Sequence, residues 1–228
     1  MFGFDLSKEK ISALRIYENE LIEWNQQVNL TAVRDPEGVR VKHFLDSMTI
    51  LKAWARTLPP ERLVDVGTGA GFPGLVLKLV WPTTHVTLVE SVGKKADFCR
   101  YIVDRLGLEQ VTILTDRAEV VGQDPAHRQT YDLAVARAVA RMPILMEYLL
   151  PLVHRHGIVM AMKGETAPAE THSASQAIHI LGGKLRKLVH VELPGVVEER
   201  LIVVVDKIAR TPEEYPRRVG MPANSPIE

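Results

Sequence analysis

Cysteine is nearly absent: Cys99 stands alone in 228 residues. A lone thiol cannot form an internal disulfide, so the expected compartment is a reducing, cytoplasmic one. Long apolar runs are also missing. The runs at residues 75–81, 157–162 and 201–205 fall far short of the ~20 residues a membrane helix needs. The opening MFGFDLSKEK has no basic stretch followed by an apolar one, so neither a signal peptide nor a membrane partner is expected. There is no excess charge of one sign: 28 Lys and Arg balance 28 Asp and Glu. That balance argues against indiscriminate nucleic-acid binding, while leaving room for a local basic patch.

What is present is an ordinary globular composition, 46% hydrophobic and 25% charged. The length suits one domain with a small appendage, burying roughly 70% of its unfolded surface. Residues 7–28 place Ile11, Leu14, Leu21, Ile22, Trp24 and Val28 at helical spacing, with Ser7 as N-cap. A second helix is expected from about Pro36 to Ala55, capped by Asp35. Residues 1–58 thus read as a small helical region.

From Arg62 the pattern becomes strand alternating with helix. RLVDVG (62–67), HVTLVE (85–90), VTILT (111–115), DLAVAR (132–137) and GIVMAMK (157–163) are short apolar strands, as in a parallel sheet covered on both faces. KLRKLVHVEL (184–193) and ERLIVVVDK (199–207), joined through Pro194-Gly195, lie too close together for an intervening helix and should pair antiparallel. The sheet domain spans 59–209. The tail, 210–228, carries four prolines and is expected to be irregular or mobile.

LVDVGTGAGFPG (63–74) follows the first strand and opens a helix. Gly69 to Gly74 match the dinucleotide pattern G-x-G-x-x-G, and Glu90 stands about 20 residues on, where a ribose-binding acid belongs. Three features favour a methyl donor instead. Asp65 precedes the loop, where a carboxylate would repel a pyrophosphate but accept from the ammonium of S-adenosylmethionine. DRAE (116–119) puts another acid beside an adenine pocket. A terminal antiparallel hairpin on a parallel sheet is the topology of S-adenosylmethionine-dependent methyltransferases. The expected fold is therefore α/β and Rossmann-like: a mostly parallel seven-stranded sheet with a C-terminal antiparallel hairpin, plus the N-terminal helices.

WNQQVNLTAVRD (24–35), HFLDS (43–47), DVGTGAGFPG (65–74), VESVGKKADF (89–98), DRAE (116–119), VARAVA (135–140), MKG (162–164), RLIVVV (200–205) and the YPRR of the tail follow in order. Together they resemble the bacterial 16S ribosomal-RNA guanine-N7 methyltransferases, the family also called glucose-inhibited division protein B. The final PANSPIE departs from that family in lacking lysines. The resemblance implies methyl transfer from S-adenosylmethionine to guanine N7 in a loop near the decoding centre, on naked rRNA or on the 30S subunit. It implies that Gly67, Gly69, Gly71 and Phe72 wrap the methionine part of the cofactor. Glu90 would take the ribose hydroxyls with Ser91 and Val92 beside it, and Ala118 and Glu119 would line the adenine.

Arg137 ends a strand inside an apolar run, a costly place unless paired; it is expected at the cofactor–substrate junction, with a salt bridge to Asp116 as the alternative. Lys163 ends the next strand and faces the same edge, as a second candidate for positioning the base. Asn29, His43 and Asp46 are expected to roof the site, the last two sharing one helix face. RNA contact is assigned to Lys94, Lys95, Arg200, Arg217 and Arg218, the two lysines lying unfavourably at a helix start unless an anion is near. No metal is expected, and a monomer is. The competing readings are a small-molecule methyltransferase, a non-catalytic RNA-binding protein on the same fold, and a dehydrogenase.

Overall fold

The computed structural model describes residues 6–227; residues 1–5 of the expected helical region and Glu228 of the tail lie outside the described residues. A seven-stranded sheet runs in the order β3-β2-β1-β4-β5-β7-β6. The strands are β1 (Arg62–Val66), β2 (His85–Val89), β3 (Val111–Leu114), β4 (Tyr131–Arg137), β5 (Val153–Lys163), β6 (Gly183–Val191) and β7 (Arg200–Lys207). The first five are parallel, and β7 inserts antiparallel between β5 and β6. Strand order reverses between β1 and β4, and ligands of such sheets bind outside the carboxyl ends at that switch point.

Alternation along each strand feeds two apolar layers. Leu63, Leu133 and Ile158 face one cluster with Leu75, Phe98 and Ile102. Val64, Ala134 and Val159 face the other, with Met146, Leu149 and Ile178. The first layer is covered by α1 (Lys8–Trp24), α5 (Gly74–Val80) and α6 (Gly93–Arg105); the second by α7 (Ala118–Gln123), α8 (Met142–Leu149), α9 (Ala167–Ser173) and α10 (Ser175–Ile180).

α1 is capped by the Ser7 hydroxyl as expected, and buries Leu14, Tyr17 and Leu21; Ile11 points outward. The helix stops at Trp24 because the Asn25 side chain takes over the backbone: its Oδ1 accepts from the Leu30 and Thr31 amides, and its Nδ2 donates to the Thr31 carbonyl. The expected second helix starts on Pro36 with the Asp35 cap, but it is a relay of short pieces ending at Ala53. These are α2 (Pro36–Gly38), a π-helical segment Val39–Leu45, α3 (Asp46–Met48) and α4 (Ile50–Ala53). π-helical turns are frequent at functional sites, and this one carries His43.

The tail corrects an expectation: it is docked, and it ends in a short helix, α11 (Met221–Asn224). Proline is tolerated there because Pro222 sits in the first turn, where no intrahelical N–H is lost. Arg128 donates to the carbonyls of Thr211, Pro212 and Tyr215 at 3.1, 2.9 and 2.6 Å, so the irregular backbone is satisfied by a guanidinium instead of a ladder.

Candidate functional site

The loop from Gly67 to Pro73 joins β1 to α5. Gly67 holds φ +69°, and a Cβ there would come within 2.5 Å of Val139 Cγ2, so only glycine fits. Beneath the loop Asp65 is fully buried. Its Oδ2 accepts from Thr68 Oγ1 at 2.6 Å and from the Gly74 amide at 2.7 Å, while its Oδ1 has no partner. Burial pushes the Asp65 carboxyl up to about 6. Glu90 follows β2 and staples the loop: its Oε2 accepts from the Gly69 amide at 2.9 Å and its Oε1 from the Val92 amide at 2.8 Å. The carboxylate still has lone pairs for a ribose hydroxyl. Two buried carboxylates make this crevice unfavourable for a pyrophosphate and favourable for a cation.

A small cavity of about 80 Å³ opens beside the loop, lined by Gly67, Ser91, Asp116, Ala118, Glu119 and Tyr148 among others. The structure thus brings together Gly67, Ser91, Ala118 and Glu119, from the ends of three strands, which the sequence assigned to one cofactor. Val92 stands exposed next to it. Phe72 lies elsewhere. Its buried ring is sandwiched between Tyr17 (centroids 5.2 Å, 13°) and His43 (4.6 Å, 15°), which leaves its backbone for any cofactor contact.

Arg137 is the hub of the roof. Its Nη1 donates to Asp46 Oδ2 at 2.8 Å and to the Lys42 carbonyl at 2.9 Å, and its Nη2 to His43 Nδ1 at 3.1 Å. Its guanidinium carbon lies 5.3 Å from the Phe72 ring centre. The alternative partner Asp116 is thereby corrected to Asp46. His43 is held neutral: burial, then the Arg137 charge, lower it to about 4. His43 Nδ1 lies 3.1 Å from both Arg137 Nη2 and the Lys42 carbonyl oxygen, and its Nε2 lies 2.7 Å from Thr31 Oγ1.

Next to this hub a cleft of about 170 Å³ is lined by Asp46, Thr49, Arg137, Lys163, Arg200 and Thr166, among others. The antiparallel register delivers Arg200: β7 starts where β5 ends, with Leu201 opposite Lys163. Arg200 Nε is buried without a partner. Lys163 is ion-paired to Glu170 at 2.6 Å and donates to the Ala140 carbonyl at 2.9 Å. Arg137 and Ala138 line this cleft and Val139 lines the cofactor-side cavity, so one short segment partitions the two.

The remaining assigned groups are spread out. Lys94 and Asn29 are exposed and Lys95 half-buried. Arg218 is exposed on the tail, whereas Arg217 is half-buried and already paired. Its guanidinium pairs with the fully buried Glu147 at 2.6 Å and donates to the Ser225 carbonyl at 2.8 Å. Sequence reasoning missed Tyr17, whose hydroxyl donates to the Ala70 carbonyl and whose Oη lies where a Gly71 Cβ would fall. The signal was available, an aromatic three residues after Leu14 on the buried face of α1. Among the described residues no group of His, Cys, Asp and Glu is placed to hold a metal ion, and no helix is long and apolar enough to cross a membrane.

A family model described as rRNA small subunit methyltransferase G matches residues 10–202. A protein of Roseiflexus castenholzii called ribosomal RNA small subunit methyltransferase G is 49% identical over 99% of this chain and 95% of its own length. One of the same description from Pelotomaculum thermopropionicum is 46% identical over 99% and 94%. Among solved structures, an S-adenosylmethionine-dependent methyltransferase from Aquifex aeolicus superposes with a TM-score of 0.57 at 18% identity, covering 76% of this chain and 94% of that one. That likeness shows the fold. The match over nearly the whole length shows more: this chain belongs to the ribosomal RNA small subunit methyltransferase G family.

Proposed function

We propose that this protein transfers the methyl group of S-adenosylmethionine to N7 of a guanosine in a loop of 16S ribosomal RNA near the decoding centre. The observation that carries the reading is the pair of adjoining pockets at the strand switch point. One is lined by Asp116 and Glu119 and opens beside the loop that buries Asp65 and Glu90; the other is lined by Arg137, Lys163 and Arg200. The orphaned Asp65 Oδ1 fits the ammonium of the methionine moiety, Glu90 the ribose, and Ser91, Ala118 and Glu119 the adenine. The bound cofactor supplies an electrophilic methyl carbon on a sulfonium.

The chain's own work is to bind and align. Guanine N7 carries a free lone pair and needs no deprotonation, so a general base has no part, and His43, neutral with its Nδ1 engaged by Arg137, is not placed to be one. Catalysis then rests on geometry. Arg137 and Arg200 stand beside the cleft where the base would enter, and arginine pairs well with guanine O6. Lys94, Lys95 and Arg218 offer charge for phosphates further out. The test is nucleoside analysis of 30S subunits, and separately of naked 16S rRNA lacking the modification, after incubation with the protein and methyl-labelled S-adenosylmethionine. Label in 7-methylguanosine is expected; label in another nucleoside, or none, rejects the proposal.

A further inference from the structure

The cofactor-side cavity has a wall that no strand supplies. α7 has only six residues, too few to hold a helix by backbone bonds alone. Its outer face is tied to the C-terminal segment at several points. The Gly220 amide donates to Glu119 Oε1 at 2.9 Å. Gln123 Nε2 donates to the carbonyls of Glu213 and Pro216 at 3.2 and 2.8 Å. Pro216 packs so closely on Gly122 that a Cβ there would fall 2.7 Å from its Cγ. Arg128 Nη1 bridges the Gly122 carbonyl and the Tyr215 carbonyl. The segment is anchored in turn by Arg217, which spans both oxygens of the buried Glu147 on α8.

Glu119 is therefore bound on one side by the tail and lines the cofactor-side cavity on the other. Resting on the methyl-donor reading, we propose that the docked tail is part of the cofactor site: the Gly220 amide fixes the Glu119 carboxylate, which reads the exocyclic amine of the adenine. Gly220 and Arg217 are positioning residues in this account, and Arg217 is removed from the RNA contacts. Adenine presents an N–H donor to a carboxylate, whereas hypoxanthine presents a carbonyl oxygen, so two acceptors would oppose each other. A site built to accept a hydrogen bond rejects the analogue that cannot donate it.

The test uses the full chain and two ligands, S-adenosylhomocysteine and S-inosylhomocysteine, titrated calorimetrically. The wild-type protein should prefer the adenine ligand by about 30-fold, the order expected for one buried charge-assisted hydrogen bond. Arg217→Ala should reduce that ratio to about threefold or less, and Arg217→Lys should restore part of it by keeping a charge on Glu147. Glu119→Gln, which can accept from Gly220 and donate to hypoxanthine, should abolish or invert the preference; it also tests the idea should Arg217→Ala fail to fold. A loosened fold would weaken both ligands alike, so an unchanged ratio in Arg217→Ala or Glu119→Gln overturns the proposal. A wild-type protein that binds S-adenosylhomocysteine without preference overturns this inference alone. One that binds neither ligand defeats the methyl-donor reading beneath it.

Discussion

Tyr17→Phe is the sharpest probe of how the N-terminal helices are joined to the glycine loop. The Tyr17 ring is fully buried and meets the loop twice, through its stack on Phe72 and through its hydroxyl, which donates to the Ala70 carbonyl. The substitution keeps the ring, so the packing against Phe72, Phe44 and Phe98 remains and no methyl-sized cavity opens. What is lost is one buried hydrogen bond, net about 1 kcal/mol, plus about 1 kcal/mol for a carbonyl left without that donor. A total of about 2 kcal/mol corresponds to a Tm lower by about 4–8 °C for a chain of this size. Urea unfolding should show a lower midpoint with an unchanged slope, since the surface exposed on unfolding does not change. The joint also fixes the loop, so the KM for S-adenosylmethionine should rise while that for rRNA stays put. A Tm within about 1 °C of wild type, equivalent to well under 1 kcal/mol, would show that the hydroxyl bears no weight in the joint.

Other expectations follow from the same geometry. The Asp65 carboxyl, raised to about 6, ionises only above that pH. A cationic ligand needs the charged form, so S-adenosylmethionine affinity should be flat above about pH 7 and fall about tenfold per unit below 6, a dependence that Asp65→Asn removes. In the free protein the sign is opposite: between 3.8 and about 6 the folded state holds the extra proton, so Asp65 favours folding at low pH and that stability is lost as pH rises through 6. His43, lowered to about 4 from 6.5, stabilises the roof fully above 6.5 and ceases to as pH falls through 4; NMR titration of its ring should give a midpoint near 4. Arg137→Lys keeps the charge but cannot bridge Asp46, the Lys42 carbonyl and His43 together, so methyl transfer should fall by about 100-fold with the fold retained. Gly67→Ala forces a Cβ into Val139 and a left-handed φ, and should abolish detectable binding of S-adenosylmethionine by calorimetry.

Much of this site could be read from the chain because its chemistry is local. Glu90 and Arg137 were assigned from their places at strand ends, and Asp65 from its distance to the first glycine. The five parallel strands end, and β7 starts, at the same sheet edge, so residues distant in sequence are brought together by topology alone. What could not be read is side-chain pairing across long separations. Asp46 and Asp116 were equally available to Arg137 by composition, and only packing of the π-helical segment over β4 chooses Asp46. Arg217 reads as a free cation in YPRR, yet Glu147 takes it, a partner 70 residues away on a helix otherwise apolar. The tail's prolines correctly exclude a long helix or a central strand, but they do not exclude docking through carbonyls, which needs a donor such as Arg128. Phe72 was legible as unusual in the loop; its direction, into the roof, depends on Tyr17 and His43.

The most direct test of the account is the structure of the protein with S-adenosylhomocysteine bound. The ribose hydroxyls should lie on Glu90, the amine within reach of Asp65 Oδ1, and the adenine between Ser91 and the Ala118–Glu119 wall, with the cleft of Arg137, Lys163 and Arg200 left open beside the sulfur. A ligand seated in that basic cleft instead, or one that leaves Glu90 and Asp65 untouched, would contradict it.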